Sequence, residues 1–185
     1  MEQQVIDINK ALVLKCKKGN SKAQFEIYKL YAKAMYNTAQ RILNNSAEAE
    51  DAMQEAFLKA FANIGEFRFE STFGSWLRRI TVNISLDYLR KRKVVFEEIS
   101  DHQNNIPDEE SLEQPIPDEV TISKIKKLVS ALPDGYRTII TLHLFEGFDH
   151  EEISEITGIT PSASRSQYCR ARKKLLEEVK QKIKL

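Results

Sequence analysis

The chain has 185 residues, 42% of them apolar, with only 6 glycines and no Val/Ile/Thr-rich alternating runs, so an all-helical protein in one domain or two small ones is expected. No stretch approaches the roughly 18 apolar residues of a membrane span, and Met1-Glu2-Gln3-Gln4 carries no signal-peptide pattern; no membrane insertion and a cytoplasmic location are expected. The net charge of +1 conceals segregation: residues 1–93 carry 16 Lys/Arg against 10 Asp/Glu, residues 94–122 none against 9, and residues 123–185 carry 12 against 8. Two basic lobes flank an acidic strap.

In chain order, residues 7–18 read as a short helix ended by Gly19-Asn20. Ser21 with Gln24 three residues on reads as a capping box that opens a helix to about Asn44, with Phe25, Tyr28, Met35, Ala39 and Ile42 as its apolar stripe. Asn45 with Glu48 repeats the box and starts a third helix to about Ile64, with Ala52, Met53, Ala56, Phe57, Ala60, Phe61 and Ile64 buried. On a different face Asp51, Gln54, Glu55 and Leu58 follow i, i+3, i+4, i+7. That strip is either a partner surface or a solvated face.

The stretch Gly65–Thr72 is too broken for a helix and unusually aromatic for a loop. A fourth helix runs from about Phe73 to Arg92, with Phe73, Leu77, Ile80, Ile84 and Tyr88 inward and Ser75, Arg79, Asn83, Leu86 and Arg90 on the other side. An aromatic loop beside a basic helix suits single-stranded DNA, because cations neutralise phosphates, rings stack on bases and an amide reads a base edge. The competing reading places Phe67, Phe69, Phe73 and Trp76 in the core and makes Arg90–Lys93 a helix C-cap.

Residues 94–119 combine three prolines, few aromatics and only acidic charge, the composition of a flexible linker. The domains are therefore 1–93, the linker 94–119, and 120–185. Ile125, Leu128, Val129 and Leu132 form one helix stopped by Pro133; Ile139, Ile140, Leu142 and Phe145 form the next, stopped by Gly147. Glu151–Ile156, a turn at Thr157-Gly158, and a basic helix after Thr160-Pro161 make a helix-turn-helix. Thr160 is its N-cap and Pro161 its first residue. Ser164, Tyr168, Ala171, Leu175 and Val179 share one face; Arg165, Gln167, Arg170, Lys173 and Lys174 lie on or beside the other.

Catalytic motifs are missing, so no enzyme is expected. Cys16 and Cys169 are isolated, which favours free thiols, and His102, His143 and His150 are not spaced as metal ligands. No metal and no cofactor are expected.

Asp51-Ala52-Met53-Gln54-Glu55-Ala56-Phe57, followed by Phe73-Gly74-Ser75-Trp76-Leu77-Arg78-Arg79-Ile80 and Asn83, resembles region 2 of sigma factors. Leu132-Pro133, Phe145-Glu146-Gly147, Glu151-Glu152-Ile153 and Arg170-Ala171-Arg172-Lys173-Lys174-Leu175 resemble region 4. The pair without other regions is similar to the extracytoplasmic function (ECF) group of the sigma-70 family. The resemblance implies that Asp51, Gln54, Glu55 and Leu58 bind the clamp of core RNA polymerase. It also implies that Phe67, Arg79, Asn83, Leu86 and Arg90, with the Phe67–Thr72 loop, serve the minus-ten element of promoter DNA. Arg165, Ser166, Gln167, Cys169 and Arg170 would face the minus-thirty-five element, with Lys173 and Lys174 on phosphates, and the polymerase flap would meet the second lobe's other side. An anti-sigma factor is the partner the family often uses. Two positions depart from the family pattern: Ser164 stands where Val is usual, which implies weaker packing under the recognition helix or an altered tilt of it, and Gln167 where Arg is usual, which implies one lost phosphate contact. A stand-alone helix-turn-helix regulator is the alternative. A relaxed linker of about 26 residues spans only ~26–30 Å, whereas promoter elements two DNA turns apart lie ~70 Å from each other; the linker must then be drawn out in the complex, and in the free protein it is a candidate mask for either basic lobe.

Overall fold

A computed structural model describes residues 9–92 and 122–183. The acidic linker and its masking role lie outside the described residues. The chain divides into two compact units, Met1–Lys91 and Arg92–Leu185, and every described element is helical.

The first unit contains α1 (Lys10–Lys17), α2 (Ser21–Leu43), α3 (Ser46–Ala62), a 3-10 turn (Ile64–Glu66) and α4 (Phe73–Lys91). The chain turns at Gly19, whose φ of +76° suits a residue without Cβ. Asn20 then caps α2 by accepting from the Ala23 amide at 2.9 Å. The cap thus falls one residue before the expected Ser21, which is the first helical residue. Asn44 closes α2 in the left-handed region (φ +51°), and the next residue, Asn45, caps α3 by accepting from the Ala47 and Glu48 amides.

Ala49, Ala52, Ala56 and Ala60 are all fully buried along α3. Small side chains at this spacing let α2 and α4 approach closely, while Met53 and Phe57 fill the remaining space. The inner faces of α2 and α4 differ from the expected stripes. Phe25 is 60% exposed, with the Lys29 ammonium 4.9 Å from its ring; it does not belong to the core, and Ala23 and Ile27 take that role. On α4, Leu86 and Leu89 are fully buried, whereas Ile80 and Tyr88 are half-buried. The cause is that α4 packs against both α2 and α3, so its buried arc is wider than one amphipathic stripe. Two buried hydroxyls on this arc are satisfied inside the helix, Thr81 by the Leu77 carbonyl and Ser85 by the Thr81 carbonyl.

The second unit contains α5 (Ile122–Ser130), α6 (Asp134–Ile140), a π-helical continuation (Thr141–Phe145), α7 (His150–Thr157) and α8 (Pro161–Ile183). Pro133 separates α5 from α6. Arg137 is buried yet satisfied: its guanidinium donates to the Leu132 carbonyl at 2.9 Å and pairs with Asp134. Asp149 and Glu152 form a full capping box on α7, and Gly158 ends it at φ +83°. Thr160 caps α8 through the Ala163 amide, with Pro161 as first residue, as the sequence implied. Leu128, Val129, Leu132, Ile140, Ala171, Leu175 and Val179 make the core.

Candidate polymerase and nucleic-acid interfaces

The candidate residues lie on three surfaces, two on the first unit and one on the second. On α3, Asp51, Gln54, Glu55 and Leu58 all face solvent, with Leu58 72% exposed. The intervening Ala52, Met53, Ala56 and Phe57 are buried, so the helix is held rigidly from behind. Tyr88 of α4 borders the strip and donates weakly to the Glu55 carboxylate at 3.5 Å. Burial first, then the charges of Glu55 and Asp51, raise the Tyr88 pKa above its ordinary value. The strip is therefore acidic with one leucine standing out of it.

The second surface is the outer side of α4. Arg79 and Asn83, one turn apart, are exposed, as is Arg90, which pairs with Asp87 at 2.7 Å. Leu86 does not join them; it is fully buried and is struck from the DNA-facing set. Phe67 is struck as well, because only 3% of it is exposed. Its ring packs against Phe69 (4.8 Å), Trp76 (5.1 Å) and Phe73 (5.7 Å), so the core reading holds for it and no face is left for a base. Phe69 and Trp76 remain half-buried.

What the sequence reading missed is how the loop is held. The Lys17 ammonium donates to the Gly65 carbonyl at 3.3 Å and to the Phe67 carbonyl. Lys17 and Lys10 also lie 5.1 and 5.3 Å from the centre of the Phe69 ring. Phe69 itself adopts φ +61°, an unfavourable left-handed backbone for a bulky residue. The only sequence signal was lysines at i and i+7 on α1.

The third surface is α8. Arg165, Lys173 and Lys174 are exposed, and Ser166 and Arg170 are half-buried. Gln167 and Cys169 are buried, at 3% and 5% exposure, and leave the DNA-facing set. Gln167 shares the packed face of Ser164 and Ala171 because α8 rests on α5, α6 and α7 together. Cys169 is a short side chain set between the longer Arg165 and Lys173 one turn to either side.

Beneath the first turns of α8 lies a polar cluster that no spacing rule revealed. The His143 and His150 rings stack, 4.6 Å apart at 14°, and Tyr168 meets His143 edge-on at 4.6 Å and His150 at 5.8 Å. His143 Nδ1 lies 2.9 Å from the Phe148 carbonyl, which only accepts, so that nitrogen carries a proton. His150 Nδ1 lies 2.8 Å from the hydroxyl of Ser164, which is fully buried. Burial, His143 and Arg165, in that order, lower the His150 pKa below 6.5, and Asp149 opposes them.

Among the described residues there is no group of three or more His, Cys, Asp and Glu placed to hold a metal, and no helix is long and apolar enough to cross a membrane.

Comparison with known proteins gives this geometry a family. The model for sigma-70 region 2 matches residues 27–94, and that for sigma-70 region 4 matches residues 122–175. The ECF RNA polymerase sigma factor SigW of Bacillus subtilis is 29% identical over 180 residues, covering 92% of this chain and 96% of its own. The ECF RNA polymerase sigma-E factor of Haemophilus influenzae is 30% identical over 192 residues, covering 97% and 98%. Among solved structures, CnrH in complex with the cytosolic domain of CnrY has a TM-score of 0.58 at 20% identity, covering 95% of this chain and 99% of that one. The sigma factor RpoE of Bartonella quintana, with the anti-sigma factor NepR, has a TM-score of 0.56 at 24% identity, covering 84% and 95%; these two likenesses concern the fold. Region 2 followed by region 4, with relatives matched almost end to end, places the chain in the ECF group of sigma-70 family RNA polymerase sigma factors.

Proposed function

We propose that this sigma factor joins core RNA polymerase through the α3 strip and opens promoter DNA through the outer side of α4 and the basic face of α8. The observation that carries the reading is on α3: a leucine 72% exposed among Asp51, Gln54 and Glu55, on a helix whose reverse side is fully packed. That strip would dock on the polymerase clamp, and part of the second lobe on the flap. Arg79, Asn83 and Arg90, beside the loop that Lys17 holds, would take the non-template strand of the minus-ten element. Phe67 would support that loop from below. Capturing an unstacked base there, with phosphates neutralised by arginine, favours the melted bubble without nucleotide hydrolysis.

On α8, Arg165 and Arg170 would read base edges of the minus-thirty-five element, Ser166 would add a hydroxyl contact, and Lys173 and Lys174 would meet phosphates. Sigma factors are non-catalytic initiation factors, and this chain would likewise act by binding alone, in the cytoplasm where RNA polymerase works. CnrH was solved with the cytosolic domain of CnrY and RpoE with the anti-sigma factor NepR, and an anti-sigma factor is proposed here on that likeness.

The test uses reconstituted holoenzyme on one promoter. Asn83→Ala should reduce permanganate reactivity of the bubble while leaving closed-complex affinity intact. Arg165→Ala should weaken closed-complex binding by about 1–3 kcal/mol, the worth of a bidentate base contact. If both variants match wild type in both assays, the DNA assignments are wrong.

A further inference from the structure

We propose that Ser164, His150 and His143 are positioning residues for the recognition helix, and that together they make minus-thirty-five recognition sensitive to mild acid. The inference rests on the reading that α8 faces promoter DNA.

The cluster joins three elements: His143 comes from the π-helical segment, His150 from the first turn of α7, and Ser164 and Tyr168 from α8. Ser164 sits one turn into α8, one residue before Arg165, and its buried hydroxyl meets His150 at 2.8 Å. That contact answers the weakened packing that a small polar side chain implies here. A directional hydrogen bond replaces apolar bulk, and it fixes both the rotation and the depth of the helix end that carries Arg165. His150 is fixed in turn by its stack on His143, and His143 by the Phe148 carbonyl.

Charging this arrangement is costly. Two imidazolium rings 4.6 Å apart repel each other in a partly dehydrated site. The charged groups that bear on His150 are His143 on the π-helical segment, Arg165 on α8 and Asp149 at the α7 cap; only Asp149 favours the cation. Tyr168, the other ring of the cluster, has Arg172 and Cys169 beside it, and burial raises its pKa above the ordinary 10.0, so it stays neutral throughout.

The sign follows. His150 binds its proton less tightly in the packed state than in the released state. Packing is therefore fully supported above pH 6.5 and is lost as the pH falls below that value. Histidines that touched phosphates directly would act the other way, because protonation would tighten DNA binding.

The experiment measures holoenzyme affinity for a fluorescent promoter duplex between pH about 7.5 and about 5.5, the interval in which histidine titrates. Wild type is compared with the double variant His143→Gln/His150→Gln. Wild type should lose affinity progressively across that interval while the double variant stays level, because only the wild type carries the histidine whose protonation opposes packing. Parallel curves, or tighter wild-type binding in acid, would overturn the proposal. Failure of wild type to bind the duplex at neutral pH would instead remove the reading of α8 on which it rests. If circular dichroism shows the double variant unfolded, imidazole and amide NMR of the wild-type chain replaces it. Titration of His150 should then shift the α8 amides around Ser164, and titration without that shift refutes the coupling.

Discussion

Replacing Lys17 with methionine removes a charge while keeping most of the aliphatic stem, so it isolates the clamp on the 67–72 loop. The ammonium donates to the part-buried Phe67 carbonyl and to the exposed Gly65 carbonyl, and lies 5.1 Å from the Phe69 ring. A hydrogen bond from a charged donor contributes about 1.5–3 kcal/mol, and an exposed cation–π contact about 0.5–1 kcal/mol. The 3.3 Å bond to the exposed carbonyl adds little. Because Lys17 is itself half-exposed, the lower end applies, and about 2 kcal/mol is expected. For a lobe of this size that lowers Tm by about 10 °C. Lys10→Met loses only the contact to Phe69 at 5.3 Å and should cost about 0.5–1 kcal/mol, a few degrees. The assay is built in: the chain's single tryptophan, Trp76, packs on Phe67, so its fluorescence reports melting of this lobe. Lys17→Met should also slow promoter opening by holoenzyme, since Phe69 at φ +61° loses the contacts that hold it there. If Lys17→Met melts no earlier than Lys10→Met and opens promoters at the wild-type rate, the clamp argument is refuted.

Other substitutions separate packing from contact. Leu86→Ala should destabilise the first lobe by about 2–5 kcal/mol in chemical denaturation, as a buried leucine does; a variant with unchanged stability and weakened DNA binding would return Leu86 to the DNA face. Asp149→Ala removes the side-chain arm of the α7 capping box, which accepts from the Glu152 amide, and leaves the backbone amide of residue 149 to donate to the Glu152 carboxylate; the loss should cost about 1–2 kcal/mol. It also deletes the charge that favours the His150 cation, so NMR should find His150 titrating at still lower pH. Gly74→Ala would place a methyl 2.9 Å from the ring of Tyr31, whose hydroxyl accepts a 2.8 Å hydrogen bond from Asn9 and whose ring packs on Phe73. Overpacking of about 1–3 kcal/mol should outweigh a helix-propensity gain of at most about 1 kcal/mol, read as a net loss of stability by Trp76 fluorescence.

Local chemistry was legible where one element decided it. Thr160-Pro161 caps α8 and the α3 stripe is buried from Ala52 to Ala60, with Phe61 half-buried, because each depends on residues within a turn or two of each other. Legibility failed where three helices meet. Leu86 and Gln167 look peripheral on a helical wheel, yet α4 and α8 each pack on more than one partner and bury a wider arc. Phe25 failed in the other direction: an aromatic near a helix start completes a stripe on paper, but here it lies outside the packed area with a lysine over its ring. The paired histidines were invisible because they lie on two different elements, and a π-helical turn and the Gly147 reversal, not one continuous helix, bring their rings together. Lys17 was missed because it acts on backbone carbonyls about fifty residues away.

The central claim is that the exposed α3 strip joins the protein to RNA polymerase, and co-purification with core enzyme tests it most directly. Wild type should form a stoichiometric complex, and Gln54→Ala/Leu58→Ala should lose most of it while melting at the wild-type temperature, because both side chains are exposed. A double variant that binds core polymerase as tightly as wild type would contradict the account and move the docking surface elsewhere on the chain.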